Sequence, residues 1–374
     1  MYFGFGKLCL LSSILTKERI QRVLLVSGKC AYAGSGAEKC LSSFASQFEV
    51  TRFSEFASNP TLAEVDMAAR MIKKTRSEAV VAIGGGTALD IAKAATLLAA
   101  QESSVADHLD TRRPLRRRDC LLILVPTTAG SGSEMTSFAV IYVKGRKKSL
   151  DHPLLVGDYV IVDPELTASL PAKIAASAGL DALCQAIESL WSVRSTAESR
   201  KIAAKALRLA LKHIEKFCSE RSRVDRLAMA RAAHLAGKAI NLTRTTAPHA
   251  ISYALTTMFG ISHGHSCALT LPAFLRYNAA VQGSDVADPR GLRWVQQRVR
   301  DILELLDVPD PEAGRLRLIK LVENVGLESS LSAFGLGYAA IERILNYGFD
   351  AERAGNNPRR LSTDGLREVL LLSL

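Results

Sequence analysis

Short apolar runs alternate with amphipathic stretches along the first half of the chain. Apolar runs of strand length occur at residues 22–27, 79–83 and 121–125, and segments of helical periodicity follow the first two. Strands that are apolar on both faces are typical of a parallel sheet covered by helices. Their alternation with helices indicates βαβ units. The pattern therefore predicts an α/β domain with a doubly wound, Rossmann-like parallel sheet.

The pattern changes after Asp163-Pro164. From Pro171 onward nearly every segment has helical periodicity, and β-branched runs disappear. We therefore expect residues 1–168 to form the α/β domain and residues 169–374 to form an all-helical domain.

A glycine-rich turn follows the strand at 79–83 and opens a helical segment. It consists of Gly84, Gly85, Gly86 and Thr87. Backbone N–H groups and the positive end of a helix dipole meet at such a turn, where they can bind a phosphate. The run does not match the GxGxxG dinucleotide pattern, so a plain tight turn remains the alternative.

A polar loop follows the strand at 121–125. Its hydroxyl groups are candidates for contacts with phosphate or ribose, or for capping a helix, and belong to Thr127, Thr128, Ser131 and Ser133. After the loop, the runs FAVIYV and YVIVD predict a β-hairpin with GRKK (145–148) at its turn.

Composition narrows the class of protein. Of 374 residues, 48% are apolar and 23% are charged, as in ordinary soluble globular proteins. Seven scattered cysteines without a CxxC pair predict reduced thiols in a cytoplasmic protein. No apolar run reaches about 18 residues, so no transmembrane helix is expected. The apolar start lacks a small-residue cleavage site, and we interpret it as part of the folded protein.

The net charge of +11 comes in large part from the run RRPLRRR at 112–118. A nucleic-acid-binding protein would be expected to show a binding motif or aromatic residues among the basic ones, and neither is present. An anionic substrate and an anionic cofactor explain the charge better.

Two histidines and two residues of one helix supply a candidate metal site. His249 and His263 lie fourteen residues apart, on either side of a helical run, and Asp181 precedes Gln185 by four residues. A spacing of four places both side chains on one helix face. Together the four residues make a plausible set of oxygen and nitrogen ligands for one divalent cation.

Several motifs, in this order, resemble the iron-containing (group III) alcohol dehydrogenase family: GGGTALDIAK, PTTAGSGSE, DPELTASLP, GLDAL…AIE and HAISYALTTMFGISHG. The resemblance covers about residues 3–280. It implies a dehydroquinate synthase-like architecture with a nucleotide-binding α/β domain and a helical metal domain. It also implies hydride transfer with NADP(H) or NAD(H), a divalent metal with Fe²⁺ preferred and Zn²⁺ possible, and a homodimer.

The resemblance gives roles to residues by their motif position. The glycine turn would bind the cofactor pyrophosphate, and Asp90 would brace the turn. Thr127 and Thr128 would lie near the cofactor, and Lys147 would reach its ribose. Asp181, His249 and His263 match three of four metal ligands.

Gln185 stands where the family pattern DALxH has the fourth ligand, a histidine. Three interpretations stay open. The glutamine ligates through its carbonyl oxygen, water completes a weaker site, or the protein works without metal, as the related maleylacetate reductases do.

Two further side chains are candidates for proton transfer. Tyr253 replaces a histidine that many relatives carry, and it would orient the substrate or pass a proton, or serve only as a packed aromatic residue. His265, two residues after a predicted ligand, is an outer partner of the metal ligands, a proton relay or a surface histidine.

A finer resemblance, through AHLAGKAINLTRTTAPHAISY and ISHGHSCALTLP, is to the phosphonoacetaldehyde reductases of phosphonate biosynthesis. It implies reduction of phosphonoacetaldehyde to 2-hydroxyethylphosphonate. Lys238, Asn241 and Arg244, at spacings of three, would share a helical face and bind the phosphonate, with Arg194 and Arg200 nearby. Alternatively, these cationic side chains only lie on solvent-exposed helix faces and bind no ligand. A general short-chain alcohol or aldehyde dehydrogenase of the lactaldehyde or propanediol type, or a maleylacetate reductase-like enzyme, remains the alternative function.

The end of the first long strand bears on cofactor choice. The segment from Ser27 to Lys29 has no carboxylate for a ribose diol. Gly28 leaves room there, and Lys29 would meet a 2′-phosphate. We therefore expect NADP(H) at least as much as NAD(H).

Overall fold

The computed structural model describes residues 1–102, 115, 117–143, 146–347 and 354–374. Most of the basic run at 112–118, and Gly145 of the predicted turn, lie outside the described residues. The chain divides into two compact units, Met1–Leu170 and Pro171–Leu374.

The first unit is built on a parallel sheet. Its strands are β1 Tyr2–Phe3, β2 Arg22–Val26, β3 Glu49–Phe53, β4 Ala79–Gly84, β5 Leu121–Pro126, β6 Phe138–Val143, β7 Arg146–Asp151 and β8 Tyr159–Val162. Six of them pair in parallel in the order β1-β8-β5-β4-β2-β3. The crossovers between parallel neighbours confirm the predicted α/β class.

Helices cover this sheet. They are α1 Leu11–Lys17, α2 Lys29–Gly34, α3 Ala37–Cys40, α4 Phe44–Gln47, α5 Leu62–Thr75 and α6 Gly86–Ala99. Alternate residues of the central strands, such as Val81 and Ile123, join one apolar cluster with α1 to α4. Helices α5 and α6 contact the central strands as well. Because side chains alternate along a strand, two layers of helix explain why these runs are apolar throughout.

The predicted β-hairpin is wrong in its second strand. β6 pairs with β7 in antiparallel fashion, from Phe138 opposite Asp151 to Val143 opposite Arg146. The run YVIVD instead supplies β8, which lies between β1 and β5 in the main sheet. Three consecutive buried residues at 160–162 suit a central strand, whereas Arg146–Lys148, expected in the turn, belong to β7.

The second unit is helical, as predicted. Its helices are α7 Ala172–Trp191, α8 Ala197–Ser219, α9 Arg223–Thr243, α10 Ala247–Phe259, α11 His263–Ala279, α12 Leu292–Leu306, α13 Pro311–Asn324, α14 Tyr338–Tyr347 and α15 Thr363–Leu372. Helix α7 is buried along most of its length and packs against α8, α9 and α11. Among the described residues, we find no helix that combines the length and the apolarity needed to cross a bilayer.

Helix boundaries place both candidate histidines at helix starts. Pro248 occupies the first turn of α10, where a missing N–H is tolerated, and His249 follows it. Gly260 then ends α10 in a left-handed conformation with φ of 70°. The chain reverses there, so α11 begins with His263 close to His249, with ring centroids 5.2 Å apart.

Candidate metal centre and nucleotide-binding turn

Four side chains of the helical unit form a metal-ligand cluster. The donor atoms of Asp181, His249, His263 and Cys267 all lie within 4.8 Å of one another. They come from α7, α10 and α11. A carboxylate oxygen, two imidazole nitrogens and a sulfur are donors that suit Fe²⁺ or Zn²⁺. The structure thus brings together three of the predicted ligands and adds Cys267, which the sequence analysis missed.

Gly264 allows α11 to approach α7 closely enough to form this cluster. A Cβ atom at this position would lie 2.0 Å from the carbonyl oxygen of Ser177 and 2.8 Å from Cβ of Asp181. The hydroxyl of Ser262 also donates to Ser177 Oγ at 2.9 Å. Only glycine fits at this contact, and it places His263 beside Asp181.

Glu188 lies behind His249 and fixes its ring. It is fully buried, and His249 Nδ1 donates to its carboxylate. The backbone N–H and the hydroxyl of Thr246 also donate to Glu188 Oε2, at 2.6 and 2.8 Å. His249 Nε2 therefore faces the cluster, 3.2 Å from Asp181 Oδ1. A carboxylate that orients a ligating histidine is a common outer partner of metal sites.

Glu188 is not predicted as a site residue from the sequence, although it lies seven residues after Asp181. That spacing is two helical turns and puts both carboxylates on one face of α7. The signal was present in the motif GLDAL…AIE.

The cluster favours positive charge. Burial alone would lower the pKa of His249, but Cys267 and Glu188 by their charge, and Asp181 by a hydrogen bond, raise it well above its ordinary value. A divalent ion supplies the same compensation for the acidic groups. The donor chemistry therefore fits a metal ion.

Gln185 lies beside the cluster. Its side chain is buried, and Nε2 donates to Asp181 Oδ1 at 3.1 Å. The amide thus contacts one predicted ligand, and its own role as a ligand stays a prediction.

Tyr253 and His265 occupy different surroundings. Tyr253 is buried, and its ring stacks on His263 with centroids 6.1 Å apart. His265 is also buried, Nε2 donates to the carbonyl oxygen of Glu328 at 2.6 Å, and its ring meets Phe334 edge-on. Burial lowers the pKa of His265. The expectation of a surface histidine is therefore wrong for His265, because the ring is buried against Phe334 and Glu328. A relay role for His265 stays a prediction.

The predicted anion-binding face is not one continuous helical face. Helix α9 ends at Thr243, and Arg244 follows with a positive φ of 59°. The Arg244 guanidinium then donates to the carbonyl oxygen of Asn241 at 2.8 Å, where a cation also offsets the negative end of the helix dipole. Lys238 is exposed on α9. Phosphonate binding by these three residues therefore stays a prediction.

Arg200, expected near the ligands, stacks on the ring of Trp294 at 4.8 Å. Arg290 and Arg298 approach the same ring at 4.5 and 4.4 Å. The structure therefore places the Arg200 guanidinium against Trp294 and not beside a predicted metal ligand.

In the first unit, the glycine turn joins β4 to α6. Gly84 ends β4, Gly85 caps α6 and Gly86 begins it. A Cβ atom on Gly86 would lie 2.9 Å from Ser131 Oγ, so the backbone must stay bare to leave the loop in place. The Thr87 hydroxyl donates to the carbonyl oxygen of Ser58 at 2.6 Å. The N-terminal turn of a 14-residue helix is thus held at this edge of the sheet.

An ion pair between Lys93 Nζ and Asp90 Oδ1, 3.8 Å apart, supports the polar loop. Asp90 accepts from Ser133 Oγ at 2.6 Å and from the N–H of Val140 at 3.0 Å. Lys93, fully buried, donates to the carbonyl oxygen of Ser133 at 3.0 Å and to Thr136 Oγ1 at 2.8 Å. Ser133 therefore braces the loop through Asp90. A contact of its hydroxyl with the cofactor, one of the two roles expected from the sequence, stays a prediction. Lys93 was missed because a lysine in a helix usually indicates a solvated face.

The other cofactor candidates lie around this loop. Thr127 is buried, and its N–H donates to the carbonyl oxygen of Gly84 at 2.9 Å. The Thr128 side chain packs near Gly85. Lys147 is half-buried on β7, opposite Tyr142. Their contacts with a cofactor stay predictions.

The end of β2 brings together charges that the local sequence hides. Lys29 Nζ lies 2.9 Å from the Glu55 carboxylate, in an exposed ion pair. The Arg52 guanidinium donates to the carbonyl oxygen of Gly28 at 3.1 Å. Parallel pairing of β2 with β3 places Glu55 next to Lys29. A carboxylate is therefore present at this strand end, although Ser27–Lys29 contains none.

Two family models match almost the whole chain. One is described as iron-containing alcohol dehydrogenase and matches residues 1–164, and the other as Fe-containing alcohol dehydrogenase family, C-terminal, and matches residues 175–374. A phosphonoacetaldehyde reductase from Streptomyces viridochromogenes is 38% identical over 320 residues, which cover 81% of this chain and 78% of that protein. Long-chain-alcohol dehydrogenase 1 from Geobacillus thermodenitrificans is 32% identical and covers 79% and 75%.

Solved structures agree with the match to the iron-containing alcohol dehydrogenase family models. Sulfoacetaldehyde reductase from Bifidobacterium kashiwanohense, in complex with NAD⁺, superposes with a TM-score of 0.86 at 32% identity and covers 99% of this chain and 96% of its own. An iron-containing alcohol dehydrogenase from Thermotoga maritima gives 0.84 at 26% identity and covers 100% and 97%. The comparisons confirm the predicted fold class and the family resemblance.

Proposed function

Because the chain belongs to the iron-containing alcohol dehydrogenase family, we propose that this oxidoreductase reduces a small anionic aldehyde, phosphonoacetaldehyde, to its alcohol. The observation that carries the proposal is the metal-ligand cluster, in which Asp181, His249 and His263 bring donor atoms within 4.8 Å. A metal held there and a nicotinamide held at the glycine turn account for both halves of a dehydrogenase reaction.

The residues of the cluster have distinct tasks. Asp181, His249 and His263 would hold the divalent ion, and Glu188 keeps Nδ1 of His249 engaged so that Nε2 points inward. When bound, the ion supplies Lewis-acid polarisation of the aldehyde carbonyl. A reduced nicotinamide held at the glycine turn would supply the hydride. Tyr253, stacked on His263, would place its hydroxyl near the substrate oxygen and donate the proton that completes the alcohol.

The choice of substrate follows from chemistry shared by two relatives. One is named for phosphonoacetaldehyde and the other for sulfoacetaldehyde, and both names describe an acetaldehyde that carries an anionic group. The net charge of +11 favours such a substrate. We propose phosphonoacetaldehyde as the substrate and 2-hydroxyethylphosphonate as the product.

The long-chain-alcohol dehydrogenase among the relatives supports a second candidate, a general alcohol or aldehyde dehydrogenase. NADH and NADPH are both proposed as cofactors. The NAD⁺ complex of the related sulfoacetaldehyde reductase supports NADH. The cationic side chains of Lys29 and Arg52 at the end of β2 support NADPH.

The test is nicotinamide oxidation followed by absorbance. Protein loaded with Fe²⁺ or Zn²⁺ is assayed with phosphonoacetaldehyde, sulfoacetaldehyde and propanal, and with NADH and NADPH in turn. We expect kcat/KM for phosphonoacetaldehyde to exceed that for propanal by at least about 100-fold, because loss of an ionic contact in a desolvated site costs several kcal/mol. Equal values for the two aldehydes would refute an anionic substrate.

A further inference from the structure

Cys267 is the member of the metal-ligand cluster to which the family's ligand pattern gives no role. It lies four residues after His263 on α11, so both side chains share one helix face. The thiol is fully buried and forms a hydrogen bond with His249. Its sulfur lies within 4.8 Å of the donor atoms of Asp181 and the two histidines.

A buried cysteine is usually a small apolar packing residue. Cys184 has that character: it is also fully buried, on α7, and it does not belong to the cluster. Cys267 differs because its sulfur is directed at a carboxylate and two imidazoles. The carboxylate and the two imidazoles supply three protein ligands, and the sulfur is close enough to all three to be a fourth.

The fourth ligand is the open question at this site. Gln185 offers a neutral amide, and its Nε2 donates to Asp181 Oδ1 at 3.1 Å. A thiolate is a much stronger donor to Zn²⁺ or Fe²⁺ than an amide oxygen. A thiolate together with one carboxylate also balances the two charges of the ion, which an amide cannot do.

We propose that the Cys267 thiolate is the fourth protein ligand, so that the metal is held by one aspartate, two histidines and one cysteine. The proposal rests on the metal site of the proposed function and names its donor set. The thiol releases its proton to solvent when the metal binds. Gln185 then acts as a hydrogen-bond partner that orients Asp181. A sulfur ligand favours the softer divalent ions, so Zn²⁺ and Co²⁺ bind more tightly than Mn²⁺.

The first experiment uses the unmodified protein. Loaded with Zn²⁺ and measured by X-ray absorption at the zinc edge, it should show one sulfur neighbour at about 2.3 Å beside nitrogen and oxygen neighbours at about 2.0–2.2 Å. Loaded with Co²⁺, it should show the near-ultraviolet charge-transfer band that a thiolate ligand produces.

Two matched cysteine variants complete the test. Cys267→Ser should lose the Co²⁺ charge-transfer band and bind Zn²⁺ at least about 10-fold more weakly in competition with a chelator. Cys184→Ser, which also changes a buried thiol of the helical unit, should keep the band and the affinity.

The outcomes separate this inference from the proposed function. Bound metal with only nitrogen and oxygen neighbours, and no charge-transfer band, would overturn the role of Cys267 and leave the dehydrogenase proposal standing. A protein that binds no divalent metal would overturn both. The absorption measurement needs no variant, so misfolding of Cys267→Ser does not weaken the test.

Discussion

The glycine turn and the metal-ligand cluster reach a binding geometry by opposite means. The turn at residues 84–87 is one continuous stretch whose backbone joins a strand to a helix. The side chains of the cluster come from three helices. Along the chain they extend from Asp181 to Cys267. A backbone site depends on shape and tolerates different side chains nearby, whereas a side-chain site depends on the identity of each ligand.

Both sites have a carboxylate behind them, which is partly exposed in Asp90 and fully buried in Glu188. Asp90 accepts hydrogen bonds from the polar loop, and Glu188 accepts one from His249. In the first unit the carboxylate braces backbone, and in the second it orients a ligand. The contrast predicts that changes in the cluster act on metal binding, and changes at the turn act on the cofactor.

The largest effect is expected from His263→Ala. Removing a ligand should lower metal-dependent kcat/KM by more than about 100-fold, beyond the 10- to 100-fold typical of an outer partner. The measurement is turnover together with bound metal by elemental analysis. His152→Ala, a histidine of the first unit, is the control and should keep both. Full metal content with unchanged turnover in His263→Ala would remove this residue from the ligand set.

Glu188→Gln tests the outer partner of the cluster. The amide keeps the shape of the side chain but loses the negative charge that His249 Nδ1 contacts. Metal affinity should fall by about 10-fold or more, measured by chelator competition. The exposed Glu198→Gln on α8 is the matched control. Equal affinities in the two variants would contradict the orienting role of Glu188.

Gly86→Ala tests the turn. The added Cβ would lie 2.9 Å from Ser131 Oγ, so the loop must shift. KM for the nicotinamide cofactor should rise by about 10-fold, while bound metal stays unchanged. Gly283→Ala, where a Cβ atom meets open space, is the matched control. A loss of metal in Gly86→Ala with unchanged KM would reverse the contrast between the two sites.

The smallest effect is expected at the end of β2. Lys29→Ala should lower the preference for NADPH over NADH by at most about fivefold, because Lys29 is exposed and already paired with Glu55. Glu55→Gln should shift the ratio of kcat/KM values in the opposite direction. A ratio that neither variant changes would show that cofactor choice lies elsewhere.

The sequence was most informative where a residue type is rare in its setting. Two histidines at helix starts and an aspartate in an apolar helix predict a metal, and the structure brings them together. Cys267 was missed because a cysteine in an apolar helix resembles a core residue. Glu55 was missed because it reaches Lys29 through strand pairing and not along the chain.

Two other predictions failed for local reasons. The run at 159–162 has the same apolar pattern in a hairpin as in a central strand, so its partner could not be deduced. Helix α9 ends at Thr243 with no glycine or proline to mark it, because Arg244 adopts the positive φ itself. A spacing of three or four residues predicts that two side chains share a helix face only if both residues belong to the same helix.

Gly264 sets the distance between two helices independently of the ligands that they carry. A side chain at this position would meet the carbonyl oxygen of Ser177, so the backbones of α7 and α11 can remain in register only with glycine here. A change of side chain at 185 or 267 therefore leaves the spacing of these two backbones to Gly264. A side chain at 264 would instead push α7 and α11 apart and separate His263 from Asp181.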